Sequence, residues 1–233
     1  MSKPVCAVVG VGPGNGAALA KRFSNEGFAV ALMARTLGLT TDLAAQLPDA
    51  RAYACDVTDP PSVEHTFGAI VRELGEIEVL VYNAGSGVWG TVEEIKSRDL
   101  ESAFRVNASG LLACAQAVIA PMKAKGKGSI VVIGATASRR GVARTAAFAP
   151  AKAAQRSLAE SMARHLWPAG VHVSLIIVDG VVDLPRTREW MKDRPDSFFI
   201  QPSDVAATAF HLTQQPRSAW SFEVEARPFG EAW

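Results

Sequence analysis

The stretch Val5-Cys-Ala-Val-Val-Gly-Val-Gly-Pro-Gly-Asn-Gly-Ala17 decides the reading of this chain. Val5–Val9 is apolar at every position, as in a parallel strand buried on both faces. Gly10, Gly12, Gly14 and Gly16 follow, and a helical pattern over residues 15–26 then stops at Gly27. Glycine permits a tight turn and lets backbone amides approach a pyrophosphate, while the helix N-terminus adds positive partial charge. With a strand before them and a helix after, Gly10, Gly12, Gly14, Asn15 and Gly16 are candidate dinucleotide contacts.

The same alternation continues along the chain. Further strand-like runs lie at 29–34, 51–55, 79–82, 129–133, 172–178 and 222–225. Helical patterns separate them at 62–74, 100–125, 147–167 and 202–214. Strand alternating with helix implies right-handed crossovers and a doubly wound, Rossmann-type α/β fold. The expectation is a parallel sheet of about seven strands with helices on both faces, and ligands beyond the carboxyl ends of the strands. A length of 233 residues suits one NAD(P)-binding domain spanning 1–233. An NAD site usually has an acid about 20 residues past the glycines, for the ribose 2′-hydroxyl. Here the second strand ends in Ala34 and Arg35. A guanidinium suits a 2′-phosphate, so NADP(H) is favoured over NAD(H).

Composition narrows the partners. Hydrophobic residues make up 48% of the chain, charged residues 20%, and the formal net charge is +1. That balance argues against nucleic acid and against an anionic membrane surface. No run approaches the roughly 20 apolar residues of a membrane span, and the N-terminus leaves no room for a signal peptide. Cys6, Cys55 and Cys114 lie far apart in apolar segments, so they read as buried small residues in a reducing, cytoplasmic compartment.

Over nearly its whole length the chain resembles the short-chain dehydrogenase/reductase family. Gly10, Gly14 and Gly16 match the family's glycine motif, and Asn83-Ala84-Gly85 its Asn-Ala-Gly turn. Asp56-Val57 matches the acidic position that contacts the adenine, Asn107 the asparagine that kinks the long fifth helix, and Lys152 the lysine of Tyr-xxx-Lys. The departures concern chemistry. Phe148 stands four residues before Lys152, where the family has tyrosine, and Ala135 stands where it has serine. Val9 replaces the threonine before the glycine loop, Asp179-Gly180 stands for Pro-Gly after the sixth strand, and Leu184 falls on the following threonine. The resemblance thus implies cofactor contacts at Gly10, Gly12, Gly14, Asn15, Gly16, Arg35, Asp56, Val57, Asn83, Ala84, Gly85, Lys152, Asp179 and Gly180. Asn107 and Lys152 remain as catalytic candidates.

Hydride addition to a carbonyl leaves an alkoxide that needs a proton. A tyrosine supplies it when its pKa falls from about 10 beside a lysine. Phenylalanine has no proton to give, and a missing general acid costs on the order of 10² to 10⁴ in rate. Tyr53 and Tyr82 read as strand residues beneath the cofactor, and His65, His165, His172 and His211 lie on segments away from it. Asp179 and Asp183 follow the sixth strand, where an acid could relay a proton through water, or serve as a cap or turn. Trp89 and the segment 184–201, with Trp190, Met191, Phe198 and Phe199, are placed to wall a cleft for a small, apolar substrate, or to pack among themselves. The resemblance implies a homodimer or homotetramer; the terminal Trp233 docks on its own chain or on a partner. Two functions stay open: an atypical NADP(H)-dependent oxidoreductase, and a catalytically inactive NADP(H)-binding sensor or scaffold.

Overall fold

The computed structural model describes residues 3–231, so Met1, Ser2, Ala232 and Trp233 lie outside the described residues. Strands β1 (Val5–Val9), β2 (Ala29–Ala34), β3 (Ala50–Ala54), β4 (Ile77–Tyr82), β5 (Gly128–Ile133), β6 (Val171–Val178) and β9 (Glu223–Ala226) form one seven-stranded sheet. Its order is β3-β2-β1-β4-β5-β6-β9, with every pair parallel. The chain starts at the centre, winds outward to β3, then returns past β1 to β4. The crevice where the direction reverses lies above the carboxyl ends of β1 and β4.

The sheet is apolar on both faces, because successive side chains point opposite ways. Val5, Ala7 and Val9 enter one core with Phe67 and Ile70 of α3 (Pro60–Glu73), Leu111 of α5 (Gly110–Lys125) and Met162 of α6 (Phe148–Leu166). Cys6 and Val8 enter the other, with Leu19 and Phe23 of α1 (Asn15–Asn25) and Val205 of α8 (Pro202–Thr213). Each fully buried large side chain contributes roughly 1.5–3 kcal/mol. The three cysteines are buried and unbonded.

The structure adds short elements that carry too little periodicity to read: α2 (Gly38–Ala44), α7 (Pro185–Trp190), and the two-residue strands β7 (Val181–Val182) and β8 (Phe199–Ile200). Strand ends move by one or two residues from the sequence reading. The helical run Ser97–Lys125 is, by length and composition, apolar enough to cross a membrane. Its apolar residues have another use: Leu111, Cys114, Val118 and Met122 are buried against the sheet.

This run is also not a uniform helix. It consists of α4 (Ser97–Phe104), a π-helical turn at Arg105–Ser109, and α5. Asn107 sits within the π turn and donates its Nδ2 to the Ala103 carbonyl, one turn back, at 2.8 Å. A side chain that competes for the helical ladder in this way bends the helix. Gly110 then brings the run close to β4, since a Cβ there would lie 2.5 Å from the Tyr82 hydroxyl.

Candidate active site

The glycine loop is built by close approach. Gly10 has φ +86°, and a Cβ on it would lie 2.5 Å from the Ala84 backbone. A Cβ on Gly16 would lie 2.7 Å from the Gly10 carbonyl oxygen. Asn83 donates Nδ2 to that same oxygen at 2.7 Å, tying the turn after β4 to the loop after β1. Gly12 differs: no atom lies within 4 Å of where its Cβ would be. The N-terminus of α1 has no side-chain cap, and the Asn15 Oδ1 is buried without a partner among the described residues. Leu184 lies over Gly14, 2.6 Å from a Cβ placed there.

Beside the loop, Arg35 is exposed just past the end of β2. Asp56 accepts from the Thr58 amide at 2.9 Å and the Thr58 hydroxyl at 2.8 Å. The Thr58 amide and hydroxyl hold its carboxyl below the usual range, with smaller help from Arg35 and Arg105 against burial. Val57 is buried and packs beneath, near Gly110.

Asn107 and Lys152 meet at Gly85. The point where a Gly85 Cβ would stand is 3.5 Å from Asn107 Oδ1 and 3.5 Å from Lys152 Nζ. Asn107 donates Nδ2 to the Ser86 carbonyl at 2.6 Å as well as to Ala103, while its buried Oδ1 has no partner among the described residues. Lys152 is buried; its Nζ donates to the Ile133 carbonyl and to Gln155 Oε1, each at 3.0 Å. Burial pushes its pKa down to about 8. Phe148 opens α6, its ring 5.9 Å from Lys152 Nζ and 5.6 Å from the Trp89 ring. The ring lies over Gly87, whose missing Cβ would be 2.7 Å from Phe148 Cβ.

The loops after β5 and β6 face each other. Ala135 is extended, and its amide donates to Ser138 Oγ at 3.1 Å. The Thr136 hydroxyl donates to Asp179, which also pairs with Arg227 and lies 3.6 Å from Arg140. Gly180 packs against the tail, where a Cβ would lie 2.6 Å from Pro228 Cδ. Asp183 is gripped by Arg188 at 2.7 and 2.8 Å and by Gln201 at 2.8 Å. Those hydrogen bonds, Arg188 first, hold its pKa down to about 2, so it stays a carboxylate. Tyr82 bonds the Val106 carbonyl and Tyr53 bonds Glu73; burial raises both phenols. His172 stacks on Trp220, with ring centroids 4.7 Å apart, at the amino end of the sheet. Trp89 and Trp190 are mostly exposed, and Arg186 stacks on Trp190.

Against known proteins, the profile of the family described as short chain dehydrogenase matches residues 4–195. The chain belongs to the short-chain dehydrogenase family. It is 30% identical over 220 residues to the D-threitol dehydrogenase of Mycolicibacterium smegmatis, covering 89% of this chain and 85% of that protein. It resembles the crystal structure of a short-chain dehydrogenase from Rhodopseudomonas palustris, with TM-score 0.83, 32% identity, and 97% and 99% of the two chains covered. A metagenomic short-chain oxidoreductase solved in complex with NADP gives TM-score 0.85 at 26% identity, with 99% of each chain covered.

The family consists of oxidoreductases that bind nicotinamide cofactors. The residues present fit such a group: an open Gly12, an α1 N-terminus without a side-chain cap, and buried acceptors at Asn15 and Asn107 that have no partner among the described residues. Among the described residues no cluster of His, Cys, Asp and Glu is placed to hold a metal. Sequence reading missed Gln155. The signal was its helical phase, because Lys152, Gln155, Ala159 and Met162 share the buried stripe of α6.

Proposed function

We propose that this protein is an NADP(H)-dependent oxidoreductase whose proton transfer does not run through tyrosine. The observation that carries this reading is the junction at Gly85. There Lys152 and the unpartnered Asn107 Oδ1 border one small space, with a phenyl ring rather than a phenol alongside. Bound NADPH supplies a hydride. The Lys152 ammonium has three N–H donors, and two are engaged by Ile133 and Gln155. The third can hold a ribose hydroxyl or a water, and Asn107 Oδ1 can accept from either. A water held there replaces the missing phenol as a proton source, at a cost in rate. Gly10, Gly12, Gly14, Asn15 and Gly16 take the pyrophosphate, and Arg35 takes the 2′-phosphate. Asp56, Val57, Asn83, Ala84 and Gly85 border the adenosine and ribose, and Asp179-Gly180 borders the nicotinamide. Residues 1–233 act as one nucleotide-binding domain, which β9 at Glu223–Ala226 supports by completing the sheet. The substrate is a small molecule with an apolar face toward Trp89. The working form is a homodimer or homotetramer in the cytoplasm.

The other reading is an inactive NADP(H)-binding sensor or scaffold. The commitment of nearby hydroxyls favours it, with Thr136 bonded to Asp179 and Ser138 to the Ala135 amide. NADPH and NADH titrations with a panel of carbonyl substrates separate the two, run on wild type and on the Ala135→Ser/Phe148→Tyr double variant. The oxidoreductase reading expects weak turnover in wild type and a gain on the order of 10² to 10⁴ in the variant. Tight NADPH binding with no turnover in either protein would leave the sensor.

A further inference from the structure

We propose that Gln155 is a positioning residue for Lys152. Its amide oxygen and the Ile133 carbonyl each hold one ammonium N–H, which leaves the third free to point toward Gly85 and Asn107. This rests on the reading above that Lys152 borders the cofactor.

The argument begins with an oddity of burial. Gln155 is fully buried on α6, three residues and so one turn from Lys152. Its Oε1 accepts from Lys152 Nζ at 3.0 Å, but its Nε2 is buried with no partner among the described residues. Burying an amide donor unpaired is unfavourable. A residue kept there for packing alone would be better as leucine or methionine, so the acceptor end is the part that matters.

The surroundings of the ammonium explain why an acceptor is needed. Burial is the sole cause of the lowered pKa of Lys152, and no carboxylate takes part. The charged groups on the elements packed around it are engaged elsewhere or, like Arg98 and Glu101 of α4, exposed to solvent. Arg105 of the π turn bonds the Thr58 carbonyl, and Arg139 after β5 pairs with Glu223. On α6, Arg156 reaches Glu223 and Glu160. Asp179 at the end of β6 holds Thr136 and Arg227, and Asp99 of α4 caps the Lys96 amide. The phenyl face of Phe148 at 5.9 Å offers only a weak cation–π contact. A neutral acceptor here supports the charge without fixing it. A carboxylate would keep the lysine protonated, whereas an apolar side chain would favour the free amine.

Two isosteric variants test this, Gln155→Glu and Gln155→Met, each checked for folding by thermal melting. The titration of Lys152 is read from its 13Cε NMR shift, assigned with Lys152→Arg, and NADPH affinity is measured across the same pH range. Wild-type affinity should fall about tenfold as pH rises through the Lys152 midpoint, because the ammonium is the stronger donor. Gln155→Glu should raise the midpoint by at least about one unit, and Gln155→Met should lower it by up to about one unit. The pH dependence of NADPH affinity should follow in each. Midpoints unchanged in both folded variants would overturn the proposal, whatever the cofactor does. Shifted midpoints in a protein that binds no NADPH at any pH would uphold the hold of Gln155 on Lys152 and overturn the cofactor reading instead.

Discussion

The loop after β1 and the loop after β5 occupy equivalent places at the carboxyl ends of parallel strands, yet they treat their polar groups in opposite ways. In the first, the α1 N-terminus is uncapped, Gly12 faces open space, and Asn15 Oδ1 has no partner among the described residues. In the second, Ser138 Oγ takes the Ala135 amide and the Thr136 hydroxyl takes Asp179, which Arg227 also holds. One loop is arranged for something outside the chain. The other is arranged for the chain itself. The contrast is one of polar groups: those of the β5 loop are bonded within the chain, while the α1 N-terminus and Asn15 Oδ1 have no side-chain partner among the described residues.

The largest effect is expected at Asp179, where the second loop is anchored. Asp179 is buried and Arg227 nearly so, with 7% and 10% of their side chains exposed, and they join the ends of β6 and β9. Breaking one half of a buried pair costs about 3–5 kcal/mol. Asp179→Ala should lower the urea unfolding free energy by that amount. A stability loss below about 1 kcal/mol would break the comparison, since the second loop would then not be consumed by the fold.

Lys152 stands between the two regions, and its effect shows as pH dependence. Its pKa is pushed down to about 8, while in the unfolded chain it lies near the ordinary lysine value of about 10.4. Between those values the unfolded chain binds more protons, so this group makes stability rise with pH. Stability of wild type relative to Lys152→Met should be flat below pH 8 and climb by about 3 kcal/mol toward pH 10.5. Unfolding free energies of the two proteins measured over that range check it. Parallel curves would mean that Lys152 is not desolvated.

These two sites also show what a sequence can and cannot disclose. The glycine loop was legible because each glycine records a local backbone demand, such as the positive φ of Gly10. Asn107 was legible as a bend, though not as a π turn. The link of Asp179 to Arg227 was not legible, because it depends on β6 and β9 pairing with Val178 beside Ala226. Nothing local to either residue announces that register. Gln155 lay between these cases: its helical phase placed it inward, but a glutamine alone reads as a solvated residue. The short α7 and the pair β7–β8 were invisible because a six-residue helix holds under two turns and a two-residue strand a single alternation, too few repeats to make a pattern.

Within the glycine loop, two alanine substitutions sharpen the contrast further. Gly10→Ala forces a side chain into the positive-φ region and against the Ala84 backbone, 2.5 Å away. Strain and overlap of that kind cost about 2–3 kcal/mol, seen as a lower unfolding free energy. Gly12→Ala should do the reverse. Its Cβ meets nothing within 4 Å and its φ lies outside the positive region, so stability should change by less than about 1 kcal/mol and could rise. A methyl group there enters the space assigned to the pyrophosphate, so NADPH affinity should fall by about tenfold or more, which corresponds to only about 1.4 kcal/mol. Fluorescence titration of NADPH beside a urea melt measures both quantities on one sample. A variant that melts like wild type and binds NADPH like wild type would show that the open space over Gly12 holds no phosphate. The α1 N-terminus and Asn15 Oδ1 would then answer to a different ligand.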